Sequence, residues 1–197
     1  LRTSLTKKTN LNLPSFKYED LKEKDVIGHG SYGTVLTGKL GAEIFVVKKL
    51  IGESKDDEKC FLKEAKLLNS VKHKNVVLFK AFCSLPCAIL MEYLCFDFSP
   101  FEVCKRVSNL LDFINYLDKT DGFKIFEENL MLQIAHDISC ALGYLHTNGI
   151  AHRDLKVKNI LVSNNHYSHL TNDEEKMKLF KESPVICKLA DFGESRS

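Results

Sequence analysis

Two short polar segments of this chain carry residues whose types and spacing suit phosphoryl transfer. One reads His-Arg-Asp-Leu-Lys-Val-Lys-Asn at positions 152–159, and the other reads Asp-Phe-Gly at positions 191–193. In the first, Asp154 can accept the proton of an attacking hydroxyl, Lys156 can contact a phosphate, and Asn159 can offer an amide oxygen to a metal ion. One loop therefore combines a proton acceptor, a phosphate contact and a metal ligand.

The Asp-Phe-Gly segment supplies a second metal ligand. Asp191 offers a charged carboxylate oxygen, and we expect the apolar Phe192 beside it to anchor that aspartate by packing. Any one of these residues, taken alone, is most simply interpreted as a solvated loop charge. Their occurrence together and in this order favours the transfer of a phosphoryl group to a hydroxyl.

A glycine-rich segment nearer the start of the chain fits the pattern G-x-G-x-x-G-x-V. Its glycines are Gly28, Gly30 and Gly33, and glycine lets the backbone approach phosphate oxygens closely. A dinucleotide-binding fold would require an acidic residue about 20 positions further on, after a helix. Position 48 is lysine, and the residues between have the composition of strands. The context therefore favours a hairpin that covers phosphates over a nicotinamide site or a plain glycine turn.

Lys48 ends the β-branched and aromatic run at 44–47, which predicts a buried strand. Strand alternation places it on the same side as Val46, where it can face a ligand beside the sheet. Glu64 falls within the apolar stripe of a helix predicted over 59–71, where an unpaired carboxylate is costly. We therefore predict an ion pair between this lysine and this glutamate. The alternative is that Lys49, or neither lysine of the pair, is the special one and that the glutamate lies at an exposed helix edge.

The order of the predicted elements divides the chain into two parts. Residues 1–17 lack periodicity and are expected to form an arm or linker, whereas 18–94 predict a small antiparallel sheet with one helix. Residues 95–197 have mainly helical patterns, with the strongest helix over 127–146. Within them, the polar stretch 163–184 predicts a surface insertion. Further predicted elements are strands at 25–29, 34–39, 76–82, 88–93, 160–162 and 185–190, and helices at 107–117 and 172–180.

Composition narrows the class of protein and its surroundings. The net charge is +2 and the sequence pI about 8.1, a bias too small to indicate a nucleic acid or a membrane surface as partner. No apolar stretch reaches the roughly 18 residues that a membrane helix needs, and no signal peptide is apparent. The seven cysteines contain no C-x-x-C pair. We expect them to be reduced thiols of a cytoplasmic protein in a reducing, intracellular compartment.

In combination, these motifs resemble those of the eukaryotic protein kinases. The resemblance covers about residues 18–197 and includes the glycine-rich segment, the strand lysine, the helix glutamate and both loop motifs, in the family's order. His-Lys-Asn-Val-Val at 73–77 is similar to the segment that follows the kinase C-helix. Lys156 is similar to the serine/threonine-specific pattern, and the segments 16–33 and 159–162 are similar to those of the tyrosine-kinase-like group.

The resemblance implies an α+β, bilobal fold with a small antiparallel β-sheet lobe that contains one helix and an incomplete, mainly helical large lobe. It also implies that ATP and Mg²⁺ bind between the lobes, with Met91 as gatekeeper and with hinge backbone groups from Glu92 and Leu94. The catalytic residues it implies are Asp154, Lys156, Lys48 and Glu64, and the metal ligands are Asn159 and Asp191. The nucleotide-binding residues it implies are Ile27, Gly28, Gly30, Ser31, Gly33, Val35, Val46, Lys48, Met91, Glu92, Leu94 and Leu161.

The activity implied by the resemblance is transfer of the γ-phosphate of Mg-ATP to serine or threonine hydroxyls of a protein substrate. The sequence ends at Ser197, soon after Asp191, so we expect the remainder of the activation segment and the helices that bind substrate to be absent from it. The alternative function is therefore an ATP-binding, pseudokinase-like interaction module that lacks transfer activity. Membrane tethering through regions outside this sequence stays open.

Overall fold

The computed structural model describes residues 13–30, 33–52, 54–126 and 129–196, and Ser31 of the expected nucleotide site lies outside them. The strands are β1 (Lys22–Gly30), β2 (Gly33–Leu40), β3 (Glu43–Leu50), β4 (Phe79–Ser84), β5 (Cys87–Glu92), β6 (Phe96–Asp97), β7 (Arg106–Val107), β8 (Ile160–Ser163) and β9 (Ile186–Leu189). The α-helices are α1 (Lys55–Ser70), α2 (Leu110–Thr120), α3 (Asn129–Thr147), α4 (Asn165–Ser168) and α5 (Asp173–Glu182). The predicted α+β class is confirmed.

The first five strands form one antiparallel sheet in the order β1-β2-β3-β5-β4. Side chains of β3 alternate between two buried surfaces. Phe45 and Val47 join an apolar cluster on one face, and Leu50 joins the larger cluster that contains α1 on the other. Because successive side chains point to opposite faces of a strand, Lys48 lies on the same side as Leu50, towards the helix.

Strand β4 begins at Phe79, later than the predicted strand over 76–82. The preceding residues, Val76 and Val77, pair through their backbone with the large lobe instead of with the sheet. Val76 forms a parallel bridge with Leu189, and the Val77 amide donates to the Leu189 carbonyl at 2.9 Å. The segment that leads into β4 therefore joins the two lobes through backbone hydrogen bonds.

Residues 14–16 belong to the predicted arm, yet they pair with the edge strand β4. The Phe82 amide donates to the Pro14 carbonyl at 2.8 Å, and the Phe16 amide donates to the Phe82 carbonyl at 3.3 Å. The Phe16 side chain packs against the same apolar cluster as Phe45. This part of the arm thus covers a strand edge that would otherwise present unpaired backbone groups.

Helix α1 begins at Lys55, before the predicted start at position 59. Ser54 caps it, because the serine side chain accepts a hydrogen bond from the Asp56 amide at 3.3 Å. Acidic residues in the first turn stabilise the helix further, because their negative charges lie near the positive end of the helix dipole. The prediction relied on apolar periodicity, which starts only at Phe61. The buried residues of the helix are Phe61, Glu64, Ala65 and Leu68.

Aromatic rings fill the centre of the large lobe. The Phe96 ring centroid lies 4.7 Å from that of Phe98 and 4.8 Å from that of Phe113, which helix α2 supplies. The cluster comprises Phe96, Phe98, Phe101, Phe113, Tyr116, Phe126, Tyr167 and Phe180. Helix α3 packs beside the β8–β9 hairpin. Among the described residues, no helix has the length and apolar character needed to cross a membrane.

The predicted surface insertion at 163–184 is closed on itself and anchored in the large lobe. Asn164 and Tyr167 are fully buried at its start. The Tyr167 hydroxyl donates to the Pro184 carbonyl at 2.7 Å, which ties the start to the end. Helix α5 lies at the surface and the short α4 was not predicted, because its packing depends on contacts distant in sequence.

We expect Tyr167→Phe to lower the free energy of unfolding by about 1–2 kcal/mol, because the buried Pro184 carbonyl loses its donor. Urea unfolding measures the change. Tyr116→Phe is the control, since its half-buried ring belongs to the same cluster, and it should change stability by less than about 0.5 kcal/mol. Equal effects of the two substitutions would contradict a closed insertion.

Candidate active site

A buried lysine joins the two lobes of the structure. Lys48 donates to the two carboxylate oxygens of Glu64 at 2.8 and 2.9 Å and to Oδ1 of Asp191 at 3.0 Å. Lys48 and Glu64 are 7% and 6% exposed, whereas the Asp191 side chain is 47% exposed. The structure therefore brings the predicted lysine–glutamate pair together and adds a predicted metal ligand at the open side.

The surroundings of Lys48 favour its charged form. Burial alone would lower the pKa of Lys48, but Glu64 and Asp191 outweigh burial and raise the pKa above its ordinary value. Glu64 also accepts a hydrogen bond from the Phe192 backbone. The result is a fixed positive charge beside a carboxylate that is open to solvent.

The second group of predicted residues lies in the loop before β8. Asp154 accepts hydrogen bonds from Lys156 Nζ at 2.6 Å and from Asn159 Nδ2 at 2.8 Å, both at Oδ2. The Lys156 hydrogen bond lowers the pKa of Asp154, and the Asn159 hydrogen bond adds to this effect, although partial desolvation opposes it. The carboxylate is therefore ionised and held in one orientation.

His152 organises the two motifs, a role that the sequence analysis did not assign. Its Nε2 lies 3.0 Å from the Ala190 carbonyl, and its ring lies edge-on to Phe192 with centroids 4.9 Å apart. Burial lowers the pKa of His152 and so favours the neutral ring. The neutral tautomer with hydrogen on Nε2 donates to Ala190 and leaves Nδ1 to accept the Asp154 amide at 3.4 Å. The signal available in the sequence was the position of this histidine within its motif.

Asn159 and Asp191 form a donor set that fits Mg²⁺. The amide of Ala190, the residue before Asp191, donates to the Asn159 carbonyl at 2.8 Å. This hydrogen bond brings the backbones of the two predicted ligands next to each other. The Asn159 amide nitrogen donates to Asp154, so the amide oxygen is the atom left to bind a metal ion. Asp191 has φ +63°, an unusual conformation for a residue other than glycine. One carboxylate oxygen and one amide oxygen are the hard ligands that Mg²⁺ prefers.

The apolar residues expected around a purine come from both lobes. Val46 of β3 pairs with Met91 of β5, and Val35 of β2 pairs with Lys48. Leu161 lies in β8 of the large lobe. These four apolar residues are half-buried, and Ile27 of β1 is exposed. Partly exposed apolar side chains from two lobes can cover the faces of a planar ligand.

The expected hinge begins at a residue with an ordered side chain. The Glu92 carboxylate accepts hydrogen bonds from Lys188 Nζ at 2.7 and 2.9 Å and from the Leu78 amide at 2.7 Å. The Glu92 amide donates to the Leu78 carbonyl at 3.0 Å. Leu94 further along the hinge is buried. The sequence analysis missed Lys188, since a lone lysine in a strand gives no signal of a partner distant in sequence.

The glycines of the β1–β2 hairpin differ in whether the surrounding structure leaves room for a side chain. A Cβ at Gly33 would lie 2.3 Å from the Lys49 carbonyl oxygen, so close strand approach requires glycine there. A Cβ at Gly28 would meet nothing within 4 Å, so packing does not require glycine at that position. Gly30 pairs with Gly33 at the tip. A ligand that approaches the backbone closely would explain why position 28 is glycine.

Comparison with known proteins agrees with this geometry. Residues 21–197 match the protein kinase domain, and the chain belongs to that family. It is 29% identical to a probable serine/threonine-protein kinase, roco5 of Dictyostelium discoideum, over 93% of this chain and 6% of that protein. It is 32% identical to serine/threonine-protein kinase STY46 of Arabidopsis thaliana (89% of this chain, 25% of that protein) and 30% identical to human tyrosine-protein kinase ABL2 (90% and 12%). The chain spans a quarter or less of the length of these relatives.

We expect Lys48→Met to lower the free energy of unfolding by about 3 kcal/mol, because it leaves Glu64 buried without its partner. The double variant Lys48→Met/Glu64→Leu should recover most of the loss, since it removes the uncompensated charge. Thermal or urea unfolding measures both changes. Lys49→Met, on the opposite face of the strand, is the control, and a loss as large as that of Lys48→Met would contradict the special role of the pair.

We expect Lys156→Met to raise the pKa of Asp154 towards its ordinary value, because the strongest hydrogen bond to the ionised form is lost. In the unaltered protein the carboxylate stays ionised to lower pH than in the variant. Carbon-13 NMR titration of the aspartate carboxyls measures the difference. Lys158→Met, at an exposed lysine of the same loop, should leave the titration unchanged, and equal titrations in all three proteins would refute the assignment.

Proposed function

We propose that this chain is the nucleotide-binding and catalytic part of a serine/threonine kinase. The observation that carries the proposal is the triple contact of Lys48, Glu64 and Asp191 across the two lobes, which sets a fixed cation and a metal-ligand carboxylate side by side. Mg-ATP would supply the phosphoryl group for transfer. Lys48 is buried, charged and held by Glu64, so it can contact a phosphate oxygen in place of Asp191, its partner on the open side.

The role proposed for Asp154 is to orient the acceptor hydroxyl. Its carboxylate is fixed by Lys156 and Asn159, and its lowered pKa makes it a weak base. A weak, well-placed base can receive the hydroxyl proton at a late stage, while it holds the oxygen in position throughout. Catalysis would then depend mainly on positioning and on neutralising charge.

The serine/threonine preference is proposed from Lys156. Its ammonium lies beside the carboxylate that would orient the acceptor, so it can contact a phosphoryl group that approaches a short side chain. The chain is similar to both serine/threonine and tyrosine kinases, so the proposed acceptor preference rests on Lys156. All seven cysteines are free thiols, which supports the proposal that the protein acts in a reducing, intracellular compartment.

We expect Asp154→Asn to reduce phosphate transfer by about 10²- to 10⁴-fold with little change in ATP affinity, because it removes the proton acceptor and keeps the shape. Transfer of labelled phosphate to peptides that differ only in serine, threonine or tyrosine measures both the rate and the acceptor. Asp173→Asn, at an exposed residue of α5, is the control and should leave the rate unchanged.

Three results would contradict this proposal. Near-normal transfer by Asp154→Asn would remove this residue from the mechanism, and transfer to tyrosine alone would overturn the acceptor preference. Binding of Mg-ATP by the unaltered chain with no transfer to any acceptor would favour the interaction-module function instead.

A further inference from the structure

The insertion at 163–184 is bonded directly to the segment that follows the hinge. Asn164 uses both ends of its side-chain amide for this contact. Its Oδ1 accepts the Asp97 amide at 2.8 Å, and its Nδ2 donates to the Asp97 carbonyl at 2.8 Å. Asn164 is 0% exposed, so water does not compete for these hydrogen bonds.

The insertion is tied together at its ends and packed on the aromatic cluster, so it can act as a brace. The His166 ring nitrogen Nε2 lies 2.8 Å from the Ser183 carbonyl and, together with the bond between Tyr167 and Pro184, closes the insertion on itself. Phe180 of α5 packs on Phe101 and Phe126, with ring centroids 5.4 and 5.8 Å apart. The same cluster contains Phe96 and Phe98, the two neighbours of Asp97.

Residues 94–97, which the insertion holds at Asp97, lead directly from the expected purine site. The run from Leu94 to Phe96 is buried, so a displacement at Asp97 cannot be absorbed by a loose loop in between. On the other side, Asn164 directly follows strand β8, which carries Leu161. One short strand thus presents an expected purine contact and also fixes the backbone that continues from the hinge.

We propose that Asn164 is a positioning residue that sets the affinity for the purine of the nucleotide by fixing the hinge relative to β8. This inference rests on the proposed nucleotide site, but it concerns binding and does not require phosphate transfer. The role differs from that proposed for the metal ligands and for Asp154, since Asn164 acts on the hinge through the Asp97 backbone and not on the nucleotide itself.

The chain offers a matched pair of substitutions at Asn164 and its exposed neighbour Asn165. Asn164→Asp keeps the size and one acceptor oxygen, but places a second oxygen against the Asp97 carbonyl. We expect its Kd for adenosine and for ATP to rise about five- to tenfold, while kcat changes less than twofold. Amide hydrogen exchange should accelerate at 94–97 and stay unchanged in α3. Asn165→Asp should match the unaltered protein in all of these measurements.

Several outcomes would overturn the inference. They are equal adenosine affinity in the two variants, unchanged exchange at 94–97 in Asn164→Asp, or no binding of adenosine by the unaltered protein. If Asn164→Asp fails to fold, Phe180→Leu loosens the same brace without touching the hinge, and it should weaken adenosine binding two- to threefold; no change there would also overturn the inference. Adenosine and ATP binding without phosphate transfer would refute only the proposed kinase activity.

Discussion

The contact of one ammonium with two carboxylates holds the site together. Lys48 comes from the sheet, Glu64 from the helix beside it and Asp191 from the large lobe, so the relative position of three elements is fixed at one atom. A buried charge is tolerated only when it is paired, and this requirement forces the helix to present Glu64 inward. Apolar packing could bring the same elements together, but it would not select one arrangement of charges.

Much of this arrangement could be predicted from local patterns. Glu64 interrupts an apolar stripe and Lys48 ends an apolar strand, so each required a partner, and the structure places them together. The loop motif predicted the neighbourhood of Asp154 and Asn159 because its members lie within one short loop. Such patterns predict a contact in two cases: when a charge in an apolar pattern shows that a partner is needed, as for Glu64, and when the partners lie in one short loop, as for Asp154 and Asn159.

Other features could not be predicted, because they depend on backbone groups that carry no sequence signal. The pairing of Val77 with Leu189 and that of Phe16 with Phe82 join segments far apart in the chain. The buried position of Tyr167 depends on Pro184 and on an aromatic cluster assembled from several elements. The polar composition of 163–184 therefore predicts a surface insertion, although Asn164 and Tyr167 within it are fully buried.

The β8–β9 hairpin explains why such an insertion is tolerated beside the proposed catalytic loop. Asn159 immediately precedes the hairpin and Asp191 closely follows it, so the two proposed metal ligands lie at its open end. The insertion enters at the opposite, turn end, where extra length costs little entropy of loop closure. The pairing of Ile160 with Leu189 and of Ser163 with Ile186 keeps the register of the open end independent of what the turn contains. A segment can thus be added at the turn and reach the expected hinge while the proposed metal-ligand pair stays in place.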